Sequence, residues 1–272
     1  MSSQIIDLHQ WFDSAPGRYL LAWEQACMDE AVADIFGYHA VQLGMPRIDG
    51  LRTNRMPHQW LALGADALLN EPGDWGGPIP PDAPRAVALW AEPVALPFPS
   101  ASLDLVVLPH TLELSEDPHM ALREVERVLV PEGRVVIAGL NPLSLWALRQ
   151  MRVRLCQRWM GGSLYLPDAG EFIGFGRLRD WLRLLSFEVE SAQFGCYRPA
   201  VRSAEWLERF AWVDPLGEKW WPIFGAAYFL VAVKRVHGMR LLGPAWRSGK
   251  ARVAATVPVV RRTDPGGPVR RR

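Results

Sequence analysis

The chain has 272 residues, of which 49% are hydrophobic and 22% charged, and its formal net charge is only +1. This length and apolar content suffice for one large α/β domain, with or without an appendage. Three distant cysteines without a CxxC spacing argue against a disulfide framework or a zinc knuckle, and no secretory signal or bilayer-length apolar stretch is visible. We therefore expect a cytoplasmic protein without a membrane span.

An N-terminal helical segment is predicted over residues 1–36. Apolar residues recur at helical spacing from Gly17 to Phe36, and Gly37 ends the pattern. We expect this helix to pack on the edge or face of a sheet. The strands of that sheet are predicted within a domain of residues 37–236, at His39–Leu43, His58–Leu63, Arg85–Trp90, Leu103–Leu108, Arg134–Ala138, Phe187–Phe194 and Ala226–Val236.

The segment from Glu92 to Gly139 carries the clearest pattern in the chain, EPVALPFPSASLDLVVLPHTLELSEDPHMALREVERVLVPEGRVVIAG. Its two strands have the length and β-branched content of buried strands, and a helix predicted over Pro118–Leu129 joins them. Two buried strands joined by a helix form a βαβ unit, which predicts a parallel sheet covered on both faces. The charged side chains of this helix are expected to point outward; they are Arg123, Glu124, Glu126 and Arg127.

Two stretches, 141–176 and 197–222, are predicted to be insertions after the fifth and sixth strands. The first contains a predicted helix over Asn141–Trp159, and the second is rich in tryptophan. Residues 237–272 are predicted to be a basic, mostly disordered tail, because residues 234–272 contain eleven Lys or Arg and one acid. A solvated tail and an electrostatic arm for nucleic acid, anionic membrane or the acidic remainder of the chain both remain open.

These motifs resemble the class I S-adenosylmethionine-dependent methyltransferases, in particular the small-molecule branch (methyltransferase type 11-like). Five elements carry the resemblance in order, and they are Glu92–Phe98, Leu103–Val107, Leu112–Glu113, Glu116–Pro118 and Val130–Gly133. The resemblance implies an α/β fold with a Rossmann-like sheet of seven mostly parallel strands, helices on both faces and helical insertions after strands five and six. It also implies S-adenosylmethionine as the cofactor.

The resemblance implies a glycine-rich turn after the first strand, where the family has the pattern acid-x-Gly-x-Gly-x-Gly. In this chain Gln42 stands at the acid and Gly44 matches one glycine, whereas other residues occupy positions 45–47. The loop is therefore a degenerate version of the family pattern. The amide oxygen of Gln42 could still accept a hydrogen bond from the cofactor ammonium, or Asp49 could replace the missing charge.

The same resemblance implies contacts to the adenosyl part of the cofactor. Asp66 is the candidate for the ribose hydroxyls, although it could equally be a solvated acid at a helix start. Glu92 stands where the family places an acid against the adenine amino group. Leu96 and Phe98 would flank the adenine, and a core role for Phe98 remains open.

His110 lies where the resemblance places both cofactor and acceptor. It could be a general base, since its intrinsic pKa lies near neutrality, or it could pack against the cofactor or cap a helix. Glu113 is expected to support the fold or the helix start. No metal-ligand spacing is present among the six histidines, so no metal site is predicted.

The leading functional hypothesis is methyl transfer to a small-molecule acceptor that lies under the two insertions. The alternative is a catalytically silent methyltransferase-like binding or scaffold protein, motivated by the altered loop at Gly44–Gly50. In that alternative the basic tail could tether the protein to nucleic acid.

Overall fold

One seven-stranded sheet organises the part of the chain that the structure describes, in the order β3-β2-β1-β4-β5-β7-β6. This computed structural model describes residues 11–64, 85–160, 165–166 and 172–236, and for 154–160 the backbone alone. The strands are β1 His39–Leu43, β2 His58–Leu63, β3 Val87–Trp90, β4 Leu103–Pro109, β5 Leu129–Leu140, β6 Phe187–Gly195 and β7 Ala227–Lys234. β7 runs antiparallel to both of its neighbours, and the other pairings are parallel.

The helices lie between and before these strands. They are α1 Ala15–Ala33, α2 Thr111–Leu114, α3 Pro118–Val128, α4 Leu145–Met160, α5 Phe175–Leu184, α6 Ala204–Arg209 and α7 Val213–Trp220, followed by a 3₁₀ turn at Pro222–Phe224. Within the described ranges, none of them combines the length and the apolar character that crossing a bilayer requires. The predicted mostly parallel seven-stranded fold is confirmed.

Alternating side chains of the strands divide the core between the two faces of the sheet. In β4, Val106 and Leu108 pack with α3 and α5 on one face. Leu105 and Val107 pack with α1 on the other face. The sheet is therefore covered by helices on both sides, as the buried strands of the βαβ unit predict.

The predicted βαβ unit is present as β4, α3 and β5. Asp117 caps α3 because its side chain accepts a hydrogen bond from the Met120 amide at 3.0 Å, and Pro118 occupies the first turn. The start of the fifth strand differs from the prediction. It was predicted at Arg134, but β5 already begins at Leu129 and contains the Pro131–Gly133 step as an irregularity, with Glu132 at φ 64°.

The connection between the parallel strands β1 and β2 contains no helix in residues 44–57, all of which the structure describes. Crossovers of this kind usually carry a helix, which covers the sheet. Here α1 covers that face instead, together with Ile48, Leu51 and Met56 of the connection. The Asn54 amide fixes the connection to the end of α1 by donating to the carbonyls of Val32 and Ile35 at 2.8 and 3.0 Å. No helix N-terminus therefore follows the turn after β1.

The segment between β6 and β7 is attached to α1 by one acidic side chain. Asp214 accepts hydrogen bonds from the Tyr19 hydroxyl at 2.5 Å and from Arg198 Nε at 2.8 Å. Burial, followed by the nearby Cys196 and the bond to Asp214, raises the pKa of Tyr19 far above its usual value, so this phenol stays protonated and acts as a donor. α6 and α7 are thereby held at the N-terminal helix.

A candidate cofactor site at the carboxyl ends of the strands

The strand order changes direction at β1, which lies between β2 and β4. In open α/β sheets, ligands bind in the crevice outside the carboxyl ends of the strands at such a point. The residues predicted from the sequence to hold the cofactor follow β1, β3 and β4, so the fold brings them to one edge. Asp66 lies outside the described residues, as does the basic tail of residues 237–272.

The turn after β1 requires glycine at its first position. Gly44 has φ +76°, a left-handed conformation that L side chains rarely adopt. The neighbouring Thr111 hydroxyl donates to the Leu43 carbonyl at 2.5 Å and ties the start of α2 to the end of β1. A Cβ at Gly44 would lie 3.4 Å from that hydroxyl oxygen. The backbone of the turn is thus packed closely against the segment after β4.

The side-chain amide of Gln42 fixes the backbone of this turn through hydrogen bonds. Its amide nitrogen donates to the carbonyls of Gly44, Met45 and Ile48 at 3.2, 3.0 and 2.8 Å. Its amide oxygen accepts from the Gly50 nitrogen at 2.8 Å, and the side chain is buried. The polar atoms of Gln42 are therefore engaged with the loop backbone, which gives this residue a structural role that the sequence did not reveal.

Met45, which follows Gly44 in this turn, is buried. Met45 adopts φ 45° and lies in an apolar cluster with Trp11, Phe12 and Trp146, which we call the aromatic cover. Asp49 forms an ion pair with Arg85, whose Nε lies 3.0 Å from its carboxylate, so its charge is compensated within the scaffold.

On the adenosyl side, the segment after β3 is fixed by an ion pair on α3. Glu124 accepts from the Leu96 amide at 2.9 Å, and Arg127 Nη2 donates to the carbonyls of Leu96 and Phe98 at 3.1 and 2.9 Å. The bond from Arg127 lowers the pKa of Glu124, which keeps the pair charged. The prediction that Glu124 and Arg127 point outward is therefore wrong, because both are engaged with this segment.

Glu92 and Gly64 face each other at the ends of β3 and β2. A Cβ placed on Gly64 would lie 3.5 Å from a carboxylate oxygen of Glu92. Leu96 is buried in the core on the same side, and Phe98 packs against Trp60 with ring centroids 5.7 Å apart. The structure thus places an acid, a glycine and an apolar side chain together where the adenosyl group is expected.

On the other side of Gly44, His110 lies between two buried glutamates. Its Nδ1 is 2.7 Å from Glu113, and its Nε2 is 2.9 and 3.1 Å from the two carboxylate oxygens of Glu24, a residue of α1. All three side chains are buried, and the ring of Phe12 lies 5.4 Å from that of His110. We call these three residues the acid–histidine cluster.

The cluster holds its histidine as a cation. Burial by itself would lower the pKa of His110, but the carboxylates of Glu24 and Glu113 outweigh that effect and raise it to about 10. Burial raises the pKa of Glu113 and outweighs the opposing contact with His110 and the hydrogen bond from the Leu140 amide.

One oxygen of Glu24 is unsatisfied. The hydrogen bond from His110 runs to Oε2, and Oε1 accepts none from the part of the chain that the structure describes. Nε2 is nevertheless 2.9 Å from Oε1, so the two atoms are in electrostatic contact without an aligned hydrogen bond. A buried carboxylate oxygen without a donor is costly and suggests a ligand with positive charge or N–H groups.

Glu24 was missed at the level of sequence, although one signal was present. It follows Leu20 by four positions and precedes Met28 by four, and both of these are buried. An acid at a core-facing helical position requires a partner. The chain does not indicate that this partner is His110, which lies 86 positions away.

Comparison with known proteins identifies relatives of part of this chain. Residues 82–137 match the family model described as "Methyltransferase domain". The chain is 40% identical over 103 residues to the uncharacterized protein YafS of Escherichia coli (strain K12), covering 38% of this chain and 40% of that protein. It is 44% identical over 66 residues to malonyl-[acyl-carrier protein] O-methyltransferase of Halorhodospira halophila, covering 24% and 22% of the two chains.

A third relative is demethylmenaquinone methyltransferase of Chlamydia pneumoniae, 31% identical over 83 residues, or 29% of this chain and 36% of that protein. The chain thus spans at most two-fifths of the length of the curated relatives that it matches. The activities of these relatives as whole proteins are therefore not assigned to this chain by the match.

Two solved structures share the fold. A chain in the complex of the Haloferax volcanii Trm112 methyltransferase activator with a methyltransferase has a TM-score of 0.50 at 17% identity, covering 85% of this chain and 99% of that one. The [4+2]-cyclase SpnF has a TM-score of 0.50 at 18% identity, covering 79% and 80%. The predicted resemblance to class I S-adenosylmethionine-dependent methyltransferases is confirmed for the segment 82–137 and for the fold, and S-adenosylmethionine is the cofactor that this family uses.

Proposed function

We propose that the class I methyltransferase domain of this protein transfers the methyl group of S-adenosylmethionine to a small acceptor molecule. The observation that carries the proposal is Glu92, which lies within the matched segment 82–137 and faces Gly64 at the carboxyl edge of the sheet. Since the [4+2]-cyclase has the same fold, the fold alone does not assign methyl transfer. The assignment therefore depends on how these residues fit the cofactor.

The adenosyl end of the site fits its ligand. The Glu92 carboxylate would accept a hydrogen bond from the adenine amino group, and Gly64 leaves room for the sugar and base to approach the backbone. Leu96 would contact the adenine, and its position is fixed through Glu124 and Arg127. This part of the site is therefore preorganised by α3.

The cationic end of the site fits through a different set of residues from the family pattern. Gly44 permits close approach to the backbone, but the amide of Gln42 is already engaged by the loop. We assign the missing negative charge to the acid–histidine cluster, whose unsatisfied Glu24 oxygen would receive the ammonium or face the sulfonium. A buried carboxylate with a free lone pair is the group that such a cation prefers.

His110 is proposed to orient Glu24 rather than to act as the general base that the sequence suggested. Both of its nitrogens face carboxylates, and its raised pKa keeps the ring protonated at neutral pH. The cofactor supplies an electrophilic methyl group, so the main task of the protein is to place an acceptor in line with it. A nucleophilic acceptor then needs no base from this site.

The acceptor side is proposed to be apolar. The aromatic cover packs with Met45, next to Gly44, and is fixed by hydrogen bonds from the Trp11 indole to the Tyr165 carbonyl and from the Trp146 indole to the Arg198 carbonyl, both 2.7 Å. Two relatives act on a malonyl-[acyl-carrier protein] and on demethylmenaquinone. An aromatic cluster beside the turn and these names together favour an acceptor with an apolar body.

Calorimetric titration with S-adenosylhomocysteine tests the proposal. We expect micromolar binding that weakens about 10–100-fold in Glu92→Gln, since a hydrogen bond to a charged group contributes about 1.5–3 kcal/mol. Glu205→Gln, an exposed acid on α6, is the matched control and should bind normally. Absence of binding at millimolar ligand, with the protein folded, would contradict the proposal and favour the catalytically silent alternative.

A further inference from the structure

α4 presents an apolar face to solvent. Leu145, Leu148 and Met151 are 50%, 53% and 65% exposed, and their spacing of three places them along one side of the helix. The opposite side, with Trp146 and Gln150, is buried against the body of the protein. A helix of a soluble domain usually turns its apolar residues inward, so this exposed apolar face has an unmet partner.

The same helix is basic. Its sequence LWALRQMRVRLCQRWM contains four arginines and neither Asp nor Glu. Arg152 is exposed beside the apolar face, whereas the guanidinium of Arg149 donates to the Ala200 carbonyl. A helix with leucine and methionine on its surface and with arginine as its sole charged residue type has the composition of helices that lie in a membrane interface.

A second group of exposed apolar residues lies next to the start of α4. It consists of Trp220, Trp221, Ile223 and Phe224, which are 70%, 45%, 57% and 51% exposed. Asn141 joins the two groups, because its amide nitrogen donates to the Ile223 carbonyl at 2.6 Å and its amide oxygen accepts from the Leu143 nitrogen at 3.0 Å. Leu143 is itself 64% exposed.

Both groups lie at the edge of the sheet that carries the candidate site. β5 ends at Leu140, which pairs with Ala227 at the start of β7. The backbone N–H of Asn141 donates to the Ala226 carbonyl at 2.8 Å. The parallel strands β1, β3 and β4 end at this same edge. We call the α4 face and residues 220–224 together the interfacial surface.

We propose that the interfacial surface docks the protein on an anionic phospholipid bilayer. Tryptophan and phenylalanine bury their rings at the level of the headgroups, and arginines without acidic neighbours on α4 attract anionic lipid. A second copy of the chain is a poorer occupant, because a two-fold contact would bring one arginine-rich α4 against another. The docking itself does not depend on the proposed methyl transfer.

Co-sedimentation of the full chain with vesicles tests this inference. We expect the protein to pellet with vesicles of phosphatidylglycerol and phosphatidylcholine and to remain largely in solution with phosphatidylcholine alone. The double variant Leu148→Glu/Met151→Glu should lower the bound fraction at least about tenfold, because two charges must then enter the interface. Ile223→Glu/Phe224→Glu should act in the same direction.

The matched control is Phe36→Glu/Leu184→Glu, which adds the same charge at two exposed apolar positions before β1 and β6, at the opposite edge of the sheet. It should bind vesicles like the unaltered protein. Equal loss of vesicle binding in Leu148→Glu/Met151→Glu and in this control, or no loss in either, would overturn the proposal and point to the basic tail or to net charge. Thermal unfolding shows whether each variant is folded; Leu148→Ser/Met151→Ser replaces the first pair if it is not.

Gel filtration with light scattering tests the alternative occupant of the interfacial surface, a second copy of the chain. If the unaltered protein is a dimer that Leu148→Glu/Met151→Glu converts to a monomer, and no variant changes vesicle binding, the surface is a contact between copies and the proposal is wrong. A monomer in both cases, together with vesicle binding lost in the α4 variant, supports bilayer docking.

Discussion

The two ends of the candidate site are built in different ways. In the proposed site, the adenosyl end comprises Glu92, Leu96 and an ion pair on α3, all within the segment that matches the methyltransferase family. The proposed cationic end comprises Glu24 from α1, outside that segment, and a loop from which most of the family glycines are missing. One end is formed by residues close in the sequence, and the other by residues that tertiary contacts bring together.

This difference shows how a site can tolerate a change of motif. Gln42 cannot serve both the loop and the cofactor, since its amide binds four backbone groups. In the proposed site the negative charge comes from a neighbouring element, α1, which covers the face of the sheet beside a β1–β2 connection that contains no helix. The position of Glu24 thus depends on α1 covering this face.

The largest expected effect on stability comes from removing the cation of the acid–histidine cluster. His110→Gln leaves Glu24 and Glu113 buried without a positive partner, and breaking such a buried pair costs about 3–5 kcal/mol. Urea unfolding followed by circular dichroism measures this loss. His58→Gln, an exposed residue at the start of β2, is the control and should change stability by less than about 0.5 kcal/mol. A small effect of His110→Gln would mean that the glutamates are protonated.

Restoring the family acid should be harmful. Gln42→Glu would place a carboxylate against the carbonyls of Gly44, Met45 and Ile48, and we expect a loss of about 2–3 kcal/mol in unfolding free energy. The same measurement on Gln59→Glu, whose side chain is only half-buried, provides the comparison. A stable Gln42→Glu variant with tighter cofactor binding would contradict the structural role of Gln42.

The acid–histidine cluster should also make the unfolding free energy depend on pH. The pKa of His110 is raised to about 10 in the folded protein, so its contribution is complete below the unfolded pKa and is lost as pH rises through the folded value. We expect the unfolding free energy to fall by about 1–2 kcal/mol between about pH 6.5 and pH 8, before the cysteines titrate. Glu24→Gln removes one carboxylate and should flatten this slope. An equal slope in both proteins would assign the dependence to other groups.

The smallest effect is expected at the adenosyl end. Arg127→Leu removes the donor to the carbonyls of Leu96 and Phe98 and should cost about 1 kcal/mol, because the guanidinium is partly exposed. It should also weaken S-adenosylhomocysteine binding several-fold. Arg123→Leu on the same helix is the matched control. If both substitutions behave alike, α3 does not organise the adenosyl end.

The sheet was largely predictable because its strands are short apolar runs bounded by turns, and Glu92 was predictable because its motif is local. The acid–histidine cluster was not, since helical and strand periodicity indicate which residues are buried but not which of them meet. Glu124 and Arg127 were taken as solvated because they bind backbone groups, the Leu96 amide and the carbonyls of Leu96 and Phe98, which carry no sequence signal. The aromatic cover was missed because Trp11, Trp146 and Tyr165 come from three separate segments, and periodicity does not indicate that they meet.

The pairing of Glu24 with a histidine 86 positions further along has a consequence for synthesis on the ribosome. α1 leaves the exit tunnel before β4, with an acid on the side that is later enclosed. Until β4 emerges, that acid lacks His110 as its counterion, so α1 cannot complete its native packing before this strand has been synthesised. The N-terminal helix therefore depends on a segment that is made after it.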